Sequence, residues 1–174
     1  MTRLALLVVD MLNDFIDPQG ALYCGESARE IIPRVKSLIE DFRDKGGTII
    51  FVSDRHEPDD SEFKLFPPHC VAGSKGAETI PEITIHPNEF HIFKNRYSAF
   101  FKTPLDDILV REEIDEVHIC GVCTSICVME TASDLRNREY PTFVHRMAVG
   151  DFDPEAHAFA LKRMEKILGA VVVD

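Results

Sequence analysis

The sequence contains no apolar run near the roughly 20 residues that a membrane-spanning helix needs, so it is not expected to cross a bilayer. It is short of positive charge. Nineteen Lys and Arg stand against thirty Asp and Glu, giving a formal net charge of −11. A surface that acidic repels phosphate backbones and anionic lipid, which removes nucleic acid and membranes from the expected partners. No secretory leader is expected either. "MTRLALLVVD" has one basic residue and a short apolar stretch ending in Asp10, the pattern of a first buried strand. The cytoplasm is the expected location. The five cysteines are an odd count, and without an export signal no disulfide framework is expected. Internal repeats, low-complexity tracts and long Gly/Ser linkers are also absent, so residues 1–174 are expected to form one domain.

What is present is an alternation. "LALLVVD", "TIIFVSD", "FHIFKN", "EVHICGV", "PTFVHR" and "AVVVD" read as strands, the first two apolar enough to be buried on both faces. Between them, "AREIIPRVKSLIEDFRDKG" has helical apolar spacing and stops at Gly46-Gly47. "TPLDDILVREE" is helical with Thr103 as N-cap and Pro104 at its first position. "TSICVMETASDLRNR" and "DPEAHAFALKRMEKILG" complete the helices. Residues 55–87 are polar and rich in Pro and Gly, an ordered loop region with room for one short helix. The expected fold is α/β: a doubly wound, mostly parallel sheet of about six strands with helices on both faces. In such sheets ligands bind at the C-terminal strand ends. Asp10, Asp54, Lys94 and the turn Gly121–Cys127 all fall there.

"CGVCTSICVMET" carries three of the five cysteines. Cys120 lies inside a strand and reads as a core thiol. Cys123 lies in the turn. Cys127 lies in the first helical turn, where unpaired N–H groups and the helix dipole favour a thiolate and can hold an oxyanion. With Asp10 as base and Lys94 as cation, Cys127 is a candidate nucleophile. Each has a plainer reading: a core thiol for Cys127, a strand-end cap for Asp10, a solvated charge for Lys94. A zinc site on the three cysteines has the wrong spacing. A redox pair of Cys123 and Cys127 is awkward across one helical turn.

"LLVVDMLNDF", "FKNRYSAF" and "GVCTSICVMETASDL" resemble, in order, the three signature segments of the isochorismatase-like cysteine hydrolases. With "DPEAHAFAL", the resemblance extends over nearly the whole chain. It implies a catalytic set of Asp10, Lys94 and Cys127. It further implies an oxyanion hole from the backbone N–H groups of Cys123 and Cys127, and a cis peptide at Val122–Cys123. "SDRHEPDDSEFKLFPPHCVAGSKGAE" is similar to the metal segment of nicotinamidases. That likeness implies Asp54, His56 and His69 as ligands. Glu62 takes the variable third position, with Glu57, Asp59 and Asp60 nearby. Two imidazoles and two carboxylates suit Zn²⁺, with Fe²⁺, Mn²⁺ or Co²⁺ as alternatives. Phe15, Phe66 and Tyr97 match positions near the ring pocket of relatives; ordinary core packing is the alternative. Ser125 stands where many relatives carry Asp. The other histidines (His86, His91, His118, His145 and His157) are expected to be structural.

The implied activity is hydrolysis of nicotinamide to nicotinate and ammonia for NAD salvage, by a homo-oligomer, dimer or tetramer. Another amidase of the superfamily, acting on a carbamoyl, ureido or maleamate-like substrate, would keep Asp10, Lys94 and Cys127 without needing the metal ligands. True isochorismatases lack the nucleophilic cysteine. A non-catalytic binding module on this fold would show a Cys127 no more reactive to iodoacetamide than a free thiol.

Overall fold

All six expected strands form. The computed structural model describes residues 2–174 and contains β1 (Leu4–Val9), β2 (Thr48–Asp54), β3 (Phe90–Lys94), β4 (Glu116–Val122), β5 (Thr142–Gly150) and β6 (Val171–Val173). They make one fully parallel sheet in the order β3-β2-β1-β4-β5-β6. The helices are α1 (Asn13–Ile16), α2 (Glu26–Glu30), α3 (Ile32–Asp44), α4 (Leu105–Arg111), α5 (Met129–Asn137) and α6 (Pro154–Arg163). No described helix is long and apolar enough to cross a membrane.

The two-residue period of a strand splits β1 between two cores. Ala5, Leu7 and Val9 pack with α4, α5 and α6 through Leu105, Leu109, Ala132, Leu135 and Leu161. Leu6 and Val8 pack with α2 and α3 through Ala28, Val35, Ile39 and Phe42. Both faces of the sheet are therefore covered. The strand order reverses between β1 and β4, so a crevice opens between their C-terminal ends. Gly121 is required at this point. Its φ is +113°, and a Cβ built there would lie 2.0 Å from the Val9 carbonyl oxygen.

Several details differ from the sequence reading, three of them on the way to the site. The helix expected across residues 28–46 is divided at Ile31 into α2 and α3, with Pro33 in the first turn of α3. Proline has no N–H to donate into a continuous helix but is tolerated in a first turn. The helix α4 begins at Leu105 with Pro104 at its cap; Thr103 still accepts the Leu105 N–H at 3.2 Å. Residues 55–87 hold two 3-10 turns, Ser61–Lys64 and Lys75–Ala77, where one short helix was expected.

His118 on β4 and His145 on β5 share a hydrogen bond of 2.9 Å between Nδ1 and Nε2. Burial, the largest cause for both, pushes each pKa down to about 4. Both folded values lie below the ordinary 6.5. Their contribution to stability is therefore present above about pH 6.5 and lost as pH falls through about 4. Urea unfolding should show a loss of about 1–3 kcal/mol from this pair across that interval. A His118→Phe/His145→Leu double variant should have a flatter profile; an unchanged slope would refute the assignment.

Candidate active site

The C-terminal rim gathers the groups that the sequence places there. Asp10 follows β1 with φ of 52°, the left-handed region that Asp tolerates better than most residues. Its N–H donates to the Val52 carbonyl at 2.8 Å, and its Oδ1 accepts the Asp54 N–H at 2.8 Å. Lys94, the last residue of β3, has its Nζ 2.9 Å from Asp10 Oδ2. That ammonium also donates to Asp54 Oδ1 and to Cys127 Sγ, the latter at 3.3 Å. Asp10, Asp54, Lys94 and Cys127 are all buried. The plainer readings of Lys94 as a solvated charge and Asp10 as a simple strand cap do not hold. The structure brings together one cation, two carboxylates and one thiol.

Electrostatics separate the carboxylates. Burial, followed by the Asp54 charge, raises Asp10 to about 6 against the pull of Lys94. Burial would raise Asp54 too, but Lys94 and His56 hold it below its ordinary value. Asp10 is therefore the carboxyl set to exchange a proton near neutral pH. Lys94 is held well above the ordinary lysine range: burial opposes its charge, but the carboxylates outweigh burial. Cys127 corrects an expectation. Burial and the charges of Asp10 and Asp54 raise it well above the ordinary thiol range, against Lys94. That direction favours the thiol over the thiolate, so a nucleophilic role needs a base to take its proton.

Cys127 sits in a π-helical turn, Thr124–Val128, that leads into α5. The Val122–Cys123 peptide just before it is cis, as the resemblance implies. Asp151, which sequence reasoning missed, anchors this turn. Its Oδ2 accepts the Ser125 N–H at 2.7 Å, and its carbonyl accepts the Ser27 hydroxyl at 2.6 Å. The signal was available, because Asp151 directly follows β5 and so lies on the same rim. Asp151→Ala should remove a cap worth about 1–2 kcal/mol, read as a lower urea midpoint. Unchanged stability would sink that role.

A second cluster shares Asp54. One ligand atom each from Asp54, His56 and His69 lies within 4.8 Å of the others. His56 Nε2 is 3.6 Å and His69 Nε2 3.9 Å from Asp54 Oδ2, and Glu62 Oε1 is 3.9 Å from His69 Nε2. His56 Nε2 and Glu62 Oε2 are buried without a hydrogen-bond partner. Each imidazole is held from behind. His56 Nδ1 pairs with Asp60 Oδ2 at 3.0 Å, and His69 Nδ1 pairs with the Pro67 carbonyl at 2.8 Å. Such partners fix the tautomer and leave Nε2 to face a cation. Arg96 in turn holds Asp60 at 3.0 Å. Glu57 and Asp59 are exposed, while Glu62 is buried with its Oε1 toward the His69 imidazole. The residues fit a divalent ion.

Both clusters open on one cavity of about 230 Å³. Phe15, Phe66 and Tyr97 line it, together with Cys123 and Cys127. Leu22, Tyr23, Cys24 and Phe152, from loops with no apolar period of their own, and Ile126, from the π-helical turn beside Cys127, complete the lining and were missed. Of the histidines expected to be structural, His91 bonds Ser53, His157 bonds Thr124, and His118 bonds His145.

Fold and site define a class: an enzyme of α/β architecture that hydrolyses amide carbon–nitrogen bonds. The chain belongs to the isochorismatase family; the isochorismatase domain model matches residues 4–174. It is similar to PncA of Bacillus subtilis, at 37% identity over 180 residues and 98% of each chain. The crystal structure of that nicotinamidase/pyrazinamidase superposes with a TM-score of 0.95, covering 99% of this chain and all of that one. A pyrazinamidase of Pyrococcus horikoshii in complex with zinc is 34% identical, with a TM-score of 0.93 over 99% of each chain. An N-carbamoylsarcosine amidase of Thermoplasma acidophilum is 35% identical, with a TM-score of 0.89 over 98% of this chain and 95% of that one.

Proposed function

We propose that this nicotinamidase-type amidase is metal-dependent, and that it converts nicotinamide to nicotinate and ammonia through a thioester on Cys127. The observation that carries this reading is the sharing of Asp54. One carboxylate joins a thiol–ammonium–carboxyl cluster to a two-histidine cation site within one aromatic-lined cavity. A divalent ion on Asp54, His56, Glu62 and His69 would supply a Lewis acid for the ring nitrogen of the amide.

The chain's own residues do the rest. Asp10 takes the proton of Cys127, and Lys94 stabilises the sulfur as it becomes anionic. The sulfur attacks the carboxamide carbon, and the backbone N–H groups of Cys123 and Cys127 hold the oxyanion. Asp10 returns the proton to the departing nitrogen, which leaves as ammonia. It then deprotonates the water that cleaves the thioester, giving nicotinate and the free thiol. Phe15, Phe66 and Tyr97 enclose the ring and exclude bulk water. The product would enter NAD salvage in the cytoplasm, and the enzyme is proposed to act as a dimer or tetramer.

The likeness to an N-carbamoylsarcosine amidase favours a second reading, hydrolysis of a ureido or carbamoyl group by the same three residues. The test is ammonia release from nicotinamide before and after chelation, with Cys127→Ala as control. Metal-dependent release that disappears in Cys127→Ala is expected. No release from folded, zinc-loaded protein would sink the nicotinamide reading in favour of the ureido one.

A further inference from the structure

Three of the five cysteines line the cavity, and the catalytic scheme uses the side chain of one. The other two are in contact: Cys24 Sγ and Cys123 Sγ are 3.1 Å apart, although they are 99 positions apart in the chain. Their relative exposures are 2% and 8%, so the contact is not an accident of mobile surface side chains. Each is held by backbone. The Cys24 N–H donates to the Phe15 carbonyl at 2.9 Å, and the Cys123 carbonyl accepts the Ile126 N–H at 3.1 Å. The remaining two cysteines lie elsewhere. Cys70 is fully buried beside Asp14, and Cys120 Sγ faces the Leu7 carbonyl. Neither lines the cavity.

We propose that Cys24 and Cys123 form an oxidisable dithiol site in the wall of the cavity, which takes hydrogen peroxide and closes to a disulfide. One thiol sulfur attacks a peroxide oxygen, the O–O bond breaks, and a sulfenic acid and one water form. The second thiol attacks the sulfenic sulfur, the S–O bond breaks, and a second water leaves with the disulfide made. Two electrons and two hydrogens pass from the thiols to the peroxide, and a dithiol reductant reverses the change by exchange.

The consequence follows from position. The sulfurs must approach by about 1 Å to reach a bonding distance of about 2.05 Å. That draws the loop carrying Leu22 and Tyr23 onto the turn that carries Cys123 and the nucleophile. Misplacement of a reacting group by about 1 Å costs up to about 100-fold in rate, so the oxidised enzyme is expected to lose at least about tenfold in turnover. The effect on turnover rests on the amidase reading; formation of the bond does not.

The experiment therefore has two arms. The first oxidises Cys127→Ala protein with a few equivalents of hydrogen peroxide and reads intact mass and linked peptides, with no substrate present. A loss of about 2 Da, with a Cys24–Cys123 linked peptide, is expected. Added oxygens on separate cysteines, or a link through Cys70 or Cys120, would overturn the site. The second arm compares the protein before and after peroxide, and after dithiothreitol, in wild type and in Cys24→Ser. Each variant is referred to its own reduced activity. The wild type should lose at least about tenfold and recover, while Cys24→Ser should lose less. Equal, equally reversible losses would overturn control by this pair and leave direct oxidation of Cys127. If Cys24→Ser does not fold, Cys123→Ser removes the other sulfur and decides the same question.

Discussion

Lys94→Met should lower the stability of the protein by about 3–5 kcal/mol and its amide turnover by at least about 100-fold. The ammonium is buried and is the cation shared by Asp10, Asp54 and Cys127. Methionine keeps most of the volume but leaves Asp10 and Asp54 facing each other without the ammonium between them. Removing one partner of a buried ion cluster is far more costly than never having built it. The pH dependence gives the prediction its sign. In wild type Asp10 already stands at about 6 because of burial and the Asp54 charge. Without Lys94 its folded pKa rises further, well above the unfolded value of about 3.9. A group raised on folding contributes stability below its unfolded pKa and loses it as pH rises through the folded one. The deficit of Lys94→Met should therefore be larger at pH 8 than at pH 5 in urea unfolding. A deficit independent of pH would mean that Lys94 acts by packing alone.

Much of this arrangement is legible in the sequence, and its limits are physical. The strands are legible because both faces of the sheet are covered, so "LALLVV" and "IIFV" are apolar without a break. The rim residues are legible because topology places strand ends together whatever lies between them in the chain. The division of the helix at Ile31 is harder, because Pro33 is compatible with either a kink or a fresh start. The double use of Asp54 is not legible. A carboxylate has two oxygens, and only three-dimensional placement turns Oδ1 to Lys94 and Oδ2 to the two histidines. The upward shift of the Cys127 thiol is hidden for a similar reason. Helix position argues for a lowered pKa, but burial and two nearby carboxylates outweigh it. The contact of Cys24 with Cys123 depends on a loop closing over the sheet, and no local pattern announces it.

Zinc should stabilise the folded protein, and His56→Ala should abolish the effect. His56 Nε2 is buried 3.6 Å from Asp54 Oδ2 without a hydrogen-bond partner, and apart from the two histidines themselves the Asp54 and Glu62 carboxylates have only Lys94 and Arg96 as cations beside them among the described residues. An ion that binds only the folded state adds about 2.7 kcal/mol at 100 times its dissociation constant. For a chain of this length that corresponds to a rise of about 5–10 °C in the thermal midpoint. Chelation should reverse the rise without any substrate present. The gain must also depend on pH. Burial opposes protonation of His56, but the neighbouring Asp54 and Asp60 carboxylates raise it to about 8. An imidazole binds a metal only when its nitrogen is free of a proton. The zinc-dependent shift should therefore grow as pH rises through about 8 and shrink below it. His69, whose Nδ1 is committed to the Pro67 carbonyl, presents Nε2 to the same space, and His69→Ala should weaken the shift as well. A zinc shift that survives intact in His56→Ala would place the ion elsewhere, and Asp54 would then serve only Lys94.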